Sequence, residues 1–150
     1  NLIQIGILQY VEHNALSEAR QGSIDTLEEA GFVDGENIKI TLLNPQKDAP
    51  AMAIHAKDLV RKADLILAIA TPAASAVVNE AKEQGKKKPI LFTAVTDPVD
   101  AKLIKSNEAP GGNVTGTNDM NPIEEQISLV KELLPNASKL GIIYTGSEPK

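Results

Sequence analysis

The sequence contains no cysteine and no long apolar run. Without cysteine, the chain can form neither a disulfide nor a thiolate metal site. No apolar stretch approaches the roughly 20 residues that a membrane-spanning helix needs. Positive charge is also sparse: the net charge is -5, and the one basic run, Lys86–Lys88, is expected on a solvated turn. A nucleic-acid surface needs clustered lysine and arginine, so this balance argues against one.

Motifs for phosphate, metal and catalytic chemistry are missing as well. There is no GxxxxGK(S/T) sequence, and Gly111-Gly112 lies in a predicted loop rather than between a strand and a helix. The two histidines, His13 and His55, lack the spacing of a metal site. A receiver-type phosphotransfer domain would place acidic residues where this chain has Gln9-Tyr10 and Thr71. We therefore expect no cofactor, no metal and no catalysis.

Short apolar runs alternate with helical patterns over most of the chain. Strands are predicted at 2–8, 36–43, 64–70, 90–95 and 113–117, and helices at 14–31, 48–63 and 72–85. The chain has 42% apolar and 23% charged residues, which is enough to bury one core. Parallel strands need crossover connections, and helices of this length supply them. The predicted fold class is α/β, with a parallel doubly wound sheet covered on both faces.

Two of these strands end in the same way. Asp64–Ala70 is followed by Thr71-Pro72, and Pro89–Val95 is followed by Thr96-Asp97-Pro98. Threonine and aspartate favour the N-cap of a helix and proline favours its first turn, so a helix is expected to begin at each junction. Two positive helix N-termini would then meet at one edge of the sheet, which suits a carboxylate or another small anion.

The candidate site residues follow from this edge, because ligands of open α/β sheets bind beyond the carboxyl ends of the strands. The candidates are Gln9, Tyr10, Glu12 and His13 after the first strand, Thr71 to Ala74 after the third, and Thr93 to Asp97 after the fourth. A purely structural role is also open for three of them. Thr71 and Asp97 would serve as helix caps, and His13 would be a surface loop residue.

The last third of the chain follows a different pattern. Asn121-Pro122 is expected to begin a helix that closes at Pro135, and Lys139–Tyr144 is predicted to form one more strand. We expect an α/β ligand-binding lobe over residues 1–117. Residues 118–150 would then form a hinge crossover with the first helix and strand of a second, incomplete lobe.

Four sequence blocks resemble one known family. They are Gly6–His13, Ala68–Ala74, Phe92–Pro98 and Pro110–Gly116, and Ile142–Tyr144 with Ser147-Glu148 resembles the start of a second lobe. In this order they resemble the ABC transporter substrate-binding proteins, in particular the tryptophan- and tyrosine-binding type. The resemblance implies a periplasmic-binding-protein type I fold, in which two hinged lobes close on a small ligand. The chain would be about half of such a protein.

The resemblance also implies a ligand, its contacts and a partner. The ligand would be an aromatic amino acid such as tryptophan, phenylalanine or tyrosine. An extracytoplasmic protein would hand it to a membrane permease, and that protein would be either a cell-surface lipoprotein with a lipid anchor upstream of Asn1 or a periplasmic protein. Implied contacts are Thr71, Ala73, Thr93 and Thr96 for the ligand carboxylate, Asp97 or Asp119 for its ammonium, and Tyr10 and His13 for its ring. The full candidate set adds Gln9, Glu12 and Ala94.

Two other functions stay open from the sequence. The effector-binding domain of a transcription regulator shares this fold, but it should follow a helix-turn-helix segment, and here the sheet begins almost at once. A small α/β enzyme needs a nucleophile or base held by an orienting partner, and the sequence shows no such set of residues.

Overall fold

A computed structural model describes residues 2–143. The strands are β1 (Ile3–Gln9), β2 (Ile38–Leu43), β3 (Leu65–Ile69), β4 (Ile90–Val95) and β5 (Val114–Asn118). The helices are α1 (Asn14–Glu29), α2 (Ala49–Lys62), α3 (Thr71–Glu83) and α4 (Ile123–Leu133). All five strands are parallel and lie in one sheet in the order β2-β1-β3-β4-β5. The predicted α/β class with a parallel sheet is confirmed.

The two faces of the sheet are covered to different extents. Helices α2 and α3 pack together on one face, where they bury a large cluster that includes Leu59, Val77 and Phe92. Helix α1 packs on the other face over a smaller cluster that includes Ile5 and Ile69. An apolar groove of about 530 Å³ remains open between α1 and the sheet. The α2–α3 face therefore supplies most of the buried core.

Local signals set two of the helix ends as predicted. The Asp48 carboxylate caps α2 by accepting a hydrogen bond from the Ala51 N–H at 2.8 Å. Gly31, with φ +86°, ends the α1 segment, and the Phe32 N–H donates to the Leu27 carbonyl at 2.8 Å. A left-handed residue at this position is the usual helix stop, and glycine adopts it without steric cost.

Two predicted helix caps are wrong. Helix α3 is capped by the backbone of Ala70, with φ +82° and no side-chain cap, so Thr71 lies inside the first turn. Helix α1 is capped by His13 rather than Asn14, because the His13 Nδ1 accepts a hydrogen bond from the Ala15 N–H at 3.3 Å. In both cases the cap lies one residue before the predicted one.

The helix start expected after β4, a short helical turn around Val99 to Lys105, does not continue into a helix. Residues 98–102 make hydrogen-bonded turns instead. Asp97 Oδ1 accepts hydrogen bonds from the N–H groups of Val99 at 3.1 Å and Asp100 at 2.9 Å, as an N-cap would. The chain then enters the left-handed region at Lys102, with φ +58°, which stops propagation after one turn. The carboxyl edge therefore carries the N-terminus of α3 but no second helix N-terminus after β4.

The chain divides into two compact units, Asn1–Met120 and Asn121–Lys150. The first contains the sheet and α1 to α3, and the second contains α4. The predicted strand Lys139–Tyr144 is not formed in its described part, 139–143, and the described residues of this unit, 121–143, contain no strand that could pair with it. Tyr144, Ser147-Glu148 and the rest of the chain to Lys150 lie outside the described residues.

Candidate functional site

Backbone hydrogen bonds join the loops at the carboxyl edge of the sheet. The Tyr10 N–H donates to Ile69 O at 3.3 Å, the Ala70 N–H donates to Thr93 O at 3.0 Å, and the Asp119 N–H donates to Val95 O at 3.1 Å. In the strand register, Gln9 lies opposite Ile69, which lies opposite Thr93. The ends of β1, β3, β4 and β5 are thus neighbours, and we call this edge the rim.

Helix α3 brings its N-terminus to the rim. The Ala70 carbonyl accepts the first helical hydrogen bond, from the Ala74 N–H at 3.0 Å. At a helix start the first-turn N–H groups have no intrahelical acceptor, and Pro72 has no N–H, so the amides of Thr71 and Ala73 remain. Ala73 is fully buried, backbone included, whereas Thr71 is half-buried and is the residue of this turn that solvent reaches. These donors and the helix dipole favour an anion.

A β-bulge shapes the rim at the end of β4. The pairing with β5 shifts between Phe92 and Val95, and Ala94 lies in the left-handed region with φ +54°. The Thr117 hydroxyl donates to the Thr93 hydroxyl oxygen at 3.1 Å. A bulge redirects the side chains around it, and Thr93 and Ala94 are half-buried here while Thr96 is exposed.

The loop between β1 and α1 is held by a polar network that the sequence did not reveal. Gln9 was predicted to follow β1 but is its last residue, and it is fully buried. Its amide nitrogen donates to Val11 O at 2.9 Å and to the Ser17 hydroxyl at 3.1 Å, and its amide oxygen accepts from Arg20 at 2.8 Å. Both amide hydrogens are used inside the protein, which gives Gln9 a supporting position beneath the rim.

Glu12 lies at the exposed end of this network. Its carboxylate accepts hydrogen bonds from the Ser17 hydroxyl at 2.7 Å and from the Asn44 side-chain amide at 3.2 Å. The Arg20 guanidinium lies 3.8 Å away, with the Glu12 side chain 57% exposed and the Arg20 side chain 19% exposed. The carboxylate thus joins the loop after β1 to helix α1 and to the loop after β2.

The two candidate rings differ in exposure. Tyr10 is half-buried and packs against the larger core cluster, and its carbonyl accepts from the Lys47 N–H at 3.1 Å. His13 is exposed, and its Nδ1 is used as the cap of α1. Both follow β1 directly, so they lie on the loop that borders the rim.

The two candidate aspartates also differ. Asp97 is half-buried and uses one carboxylate oxygen for the turn after β4, which is the structural role that the sequence left open for it. Asp119 is exposed, just after β5, and only its backbone N–H is tied to the rim. Within residues 2–143 no group of three or more His, Cys, Asp or Glu side chains is placed to hold a metal ion.

Comparison with known proteins identifies the family. The profile of the ABC transporter substrate binding proteins matches residues 4–150. The chain belongs to this family. Proteins of the family bind solutes for ABC transporters and work outside the cytoplasm. None of the helices described between residues 2 and 143 has the length and apolar character needed to cross a membrane.

Three relatives of the family match most of this chain. A tyrosine-binding protein of Clostridioides difficile is 50% identical over 145 residues, which are 96% of this chain and 41% of that protein. The ligand-free, open structure of a Clostridium difficile substrate-binding protein with adhesive properties is 44% identical, with a TM-score of 0.85 over 98% of this chain and 49% of that one. A Streptococcus pneumoniae ABC domain in complex with L-Trp is 39% identical, with a TM-score of 0.80 over 91% and 45%.

This chain is shorter than the family members that it matches. The chain spans 41% to 49% of them, or about half their length. The expected periplasmic-binding-protein type I fold is confirmed, and this chain corresponds to about half of it.

Proposed function

We propose that this chain is the N-terminal part of an extracytoplasmic solute-binding protein of an ABC importer, and that it binds an aromatic amino acid without transforming it. The observation that carries the proposal is the rim: the N-terminus of α3 lies beside the bulged end of β4, joined by the Ala70–Thr93 hydrogen bond. Such an arrangement supplies donors for a carboxylate. A relative named as a tyrosine-binding protein and another solved in complex with L-Trp support an aromatic ligand.

The ligand carboxylate is proposed to lie at the N-terminus of α3. The Thr71 amide and the hydroxyls of Thr71, Thr93 and Thr96 would donate to it, and the first turn of α3, which includes the buried Ala73 amide, would direct its positive end toward it. Hydrogen bonds to a charged group contribute about 1.5 to 3 kcal/mol each. The positive end of the helix dipole adds about 0.3 to 1 kcal/mol at an exposed position.

The remaining ligand groups are assigned to the loops around the rim. Glu12, Asp97 and Asp119 supply carboxylates for the ammonium group, and Tyr10 and His13 border the ring. Pairs of aromatic rings contribute about 0.5 to 1.5 kcal/mol beyond their buried area. Gln9 supports this loop from below, and Ala94 shapes the bulge.

A second lobe is part of the proposal. Residues 1–117 form the first lobe and residues 118–150 begin the second, so that the ligand would be enclosed between them. Micromolar affinity needs about 8 kcal/mol of net binding free energy after the costs of association. The rim of a single lobe would not supply this, because it leaves one side of the ligand open to water. The two-lobed protein, meaning residues 1–150 continued to the length of the relatives, is therefore the form expected to bind tightly. It would deliver the ligand to a membrane permease, and a lipid anchor upstream of Asn1 stays a prediction.

Calorimetry on the two-lobed protein tests this function. Tryptophan, tyrosine and phenylalanine should bind with micromolar or lower Kd, and leucine and glutamate should bind at least tenfold more weakly. Tryptamine, which lacks the carboxylate, should also bind poorly because it offers nothing to the α3 N-terminus. Equal binding of tryptophan and tryptamine would contradict the carboxylate site, and turnover of any of these amino acids would contradict a role without catalysis.

A further inference from the structure

Arg20 occupies an unusual place in the loop network, because it is largely buried and supports the rim without lying on it. Its guanidinium donates to the Gln9 amide oxygen at 2.8 Å and lies 3.8 Å from the Glu12 carboxylate. A buried cation is costly unless it is paired and hydrogen-bonded, and here both partners belong to the β1–α1 region. Arg20 is therefore tied to this loop by two separate contacts.

Arg20 determines which group donates and which accepts in each hydrogen bond of the network. A guanidinium can only donate, so the Gln9 group that faces Arg20 must be the amide oxygen. The Gln9 nitrogen then faces Val11 O and the Ser17 hydroxyl, at 2.9 and 3.1 Å. Ser17 already accepts from Gln9, so its single proton is free to be donated to Glu12, at 2.7 Å. The orientation of a buried amide thus determines which way a hydroxyl at the rim points.

We infer that Arg20 is a positioning residue for ligand binding, which fixes the Gln9 amide and, through Ser17, the Glu12 carboxylate at the rim. This inference rests on the proposed function, in which Glu12 is one of the carboxylates available to the ligand ammonium. Without Arg20, the buried Gln9 amide oxygen loses its donor, and it regains one from Ser17 only if the amide rotates by half a turn and gives up its bond to Val11 O. The Ser17 proton would then be drawn to Gln9, and Glu12 would keep only the bond from Asn44.

The direction in which the ligand Kd changes when Arg20 is removed distinguishes a positioning role from a purely electrostatic one. Arg20 is a cation close to Glu12, so its removal would increase the local negative potential and strengthen the attraction for an ammonium group. If Arg20 acts by holding Glu12 in place, its removal weakens ligand binding instead. Arg61 is the matched control, because it pairs with Asp58 in an exposed ion pair on α2 at 2.9 Å.

The test compares Arg20→Met, Arg61→Met, Glu12→Gln and the Arg20→Met/Glu12→Gln double variant in the two-lobed protein, with tryptophan, tyrosine and phenylalanine as probes. Arg20→Met and Glu12→Gln should each raise Kd about tenfold, and Arg61→Met should leave it unchanged. The double variant should bind no more weakly than the weaker-binding of the two single variants, because both substitutions interrupt the same series of contacts. Ser17→Ala, which introduces no unpaired charge, should raise Kd several-fold and serves if Arg20→Met does not fold.

Each other result has a defined meaning. If the parent protein binds none of these amino acids, the proposed function fails and the inference fails with it. If the parent binds but Arg20→Met lowers only the melting temperature and leaves Kd unchanged, the inference alone is overturned. Multiplying effects in the double variant, or tighter binding by Arg20→Met, would overturn it as well.

Discussion

The Ala70 N–H donates to the Thr93 carbonyl at 3.0 Å, which joins the N-cap of α3 to the bulged end of β4. Both ends of this bond adjoin left-handed backbone, at Ala70 with φ +82° and at Ala94 with φ +54°. The bond holds the first turn of the helix next to the threonine hydroxyls of two strands. It is the contact from which the proposed carboxylate site is built.

Thr71→Val should weaken amino acid binding by the two-lobed protein about tenfold. The substitution keeps the shape of the side chain and removes its hydroxyl donor, which corresponds to about 1.4 kcal/mol. Calorimetry measures the effect. Lys87→Ala, on the exposed turn after α3, should have none, and equal losses in the two variants would argue against the rim as the site.

Ala70→Gly should stabilise residues 1–150 by about 1 kcal/mol. Ala70 has φ +82° and ψ +152°, a region that side chains disfavour and glycine does not. Ala53→Gly, at an exposed position inside α2, should instead cost about 1 kcal/mol. Urea denaturation compares the two free energies of unfolding. If both variants lose stability to the same extent, the strain assigned to Ala70 is absent.

Gly116→Ala should destabilise the lobe by about 1 to 3 kcal/mol through overpacking. A Cβ at Gly116 would overlap the Phe92 carbonyl oxygen, so β4 and β5 would have to separate beside the bulge. Gly22→Ala is the control, since a Cβ there meets nothing within 4 Å and alanine favours the helix. Gly22→Ala should gain stability when both variants are compared by urea denaturation. Indistinguishable unfolding midpoints would contradict the close approach at Gly116.

Residues 1–150 alone should bind tryptophan at best in the millimolar range, whereas the two-lobed protein should reach micromolar Kd or lower. One lobe leaves most of the ligand in water and offers too few contacts to offset the cost of association. Titration calorimetry on both proteins makes the comparison. Equal affinities would show that the first lobe is sufficient and would refute the closing mechanism.

Much of the fold could be predicted from the sequence because local patterns and tertiary structure agree. The apolar runs of β1, β3 and β4 became largely buried parallel strands, with β2 and β5 as the more exposed edge strands. Asp48 and Gly31 set helix ends by purely local chemistry. The helix expected after Pro98 failed although its capping residues are in place. Asp97 caps a single turn there, and the left-handed residue Lys102 then ends it, which a capping pattern does not reveal.

The site was predictable only in outline. Placing candidates after β1, β3 and β4 followed from topology, because carboxyl ends of parallel strands share an edge. The sequence does not single out Ser17 and Arg20, since polar residues along a helix also suit solvent, and the apolar pattern of the first strand ends at Leu8, before their partner Gln9. The bulge at Ala94 and the cap at Ala70 depend on contacts between β3 and β4, and no spacing in the sequence encodes them.

The most direct test of the central claim is a crystal structure of the two-lobed protein with a bound aromatic amino acid. The ligand carboxylate should lie at the N-terminus of α3, within hydrogen-bonding distance of the Thr71 amide and the Thr93 hydroxyl. A ligand bound away from the carboxyl edge of the sheet, or one whose carboxylate faces away from the α3 N-terminus, would contradict it.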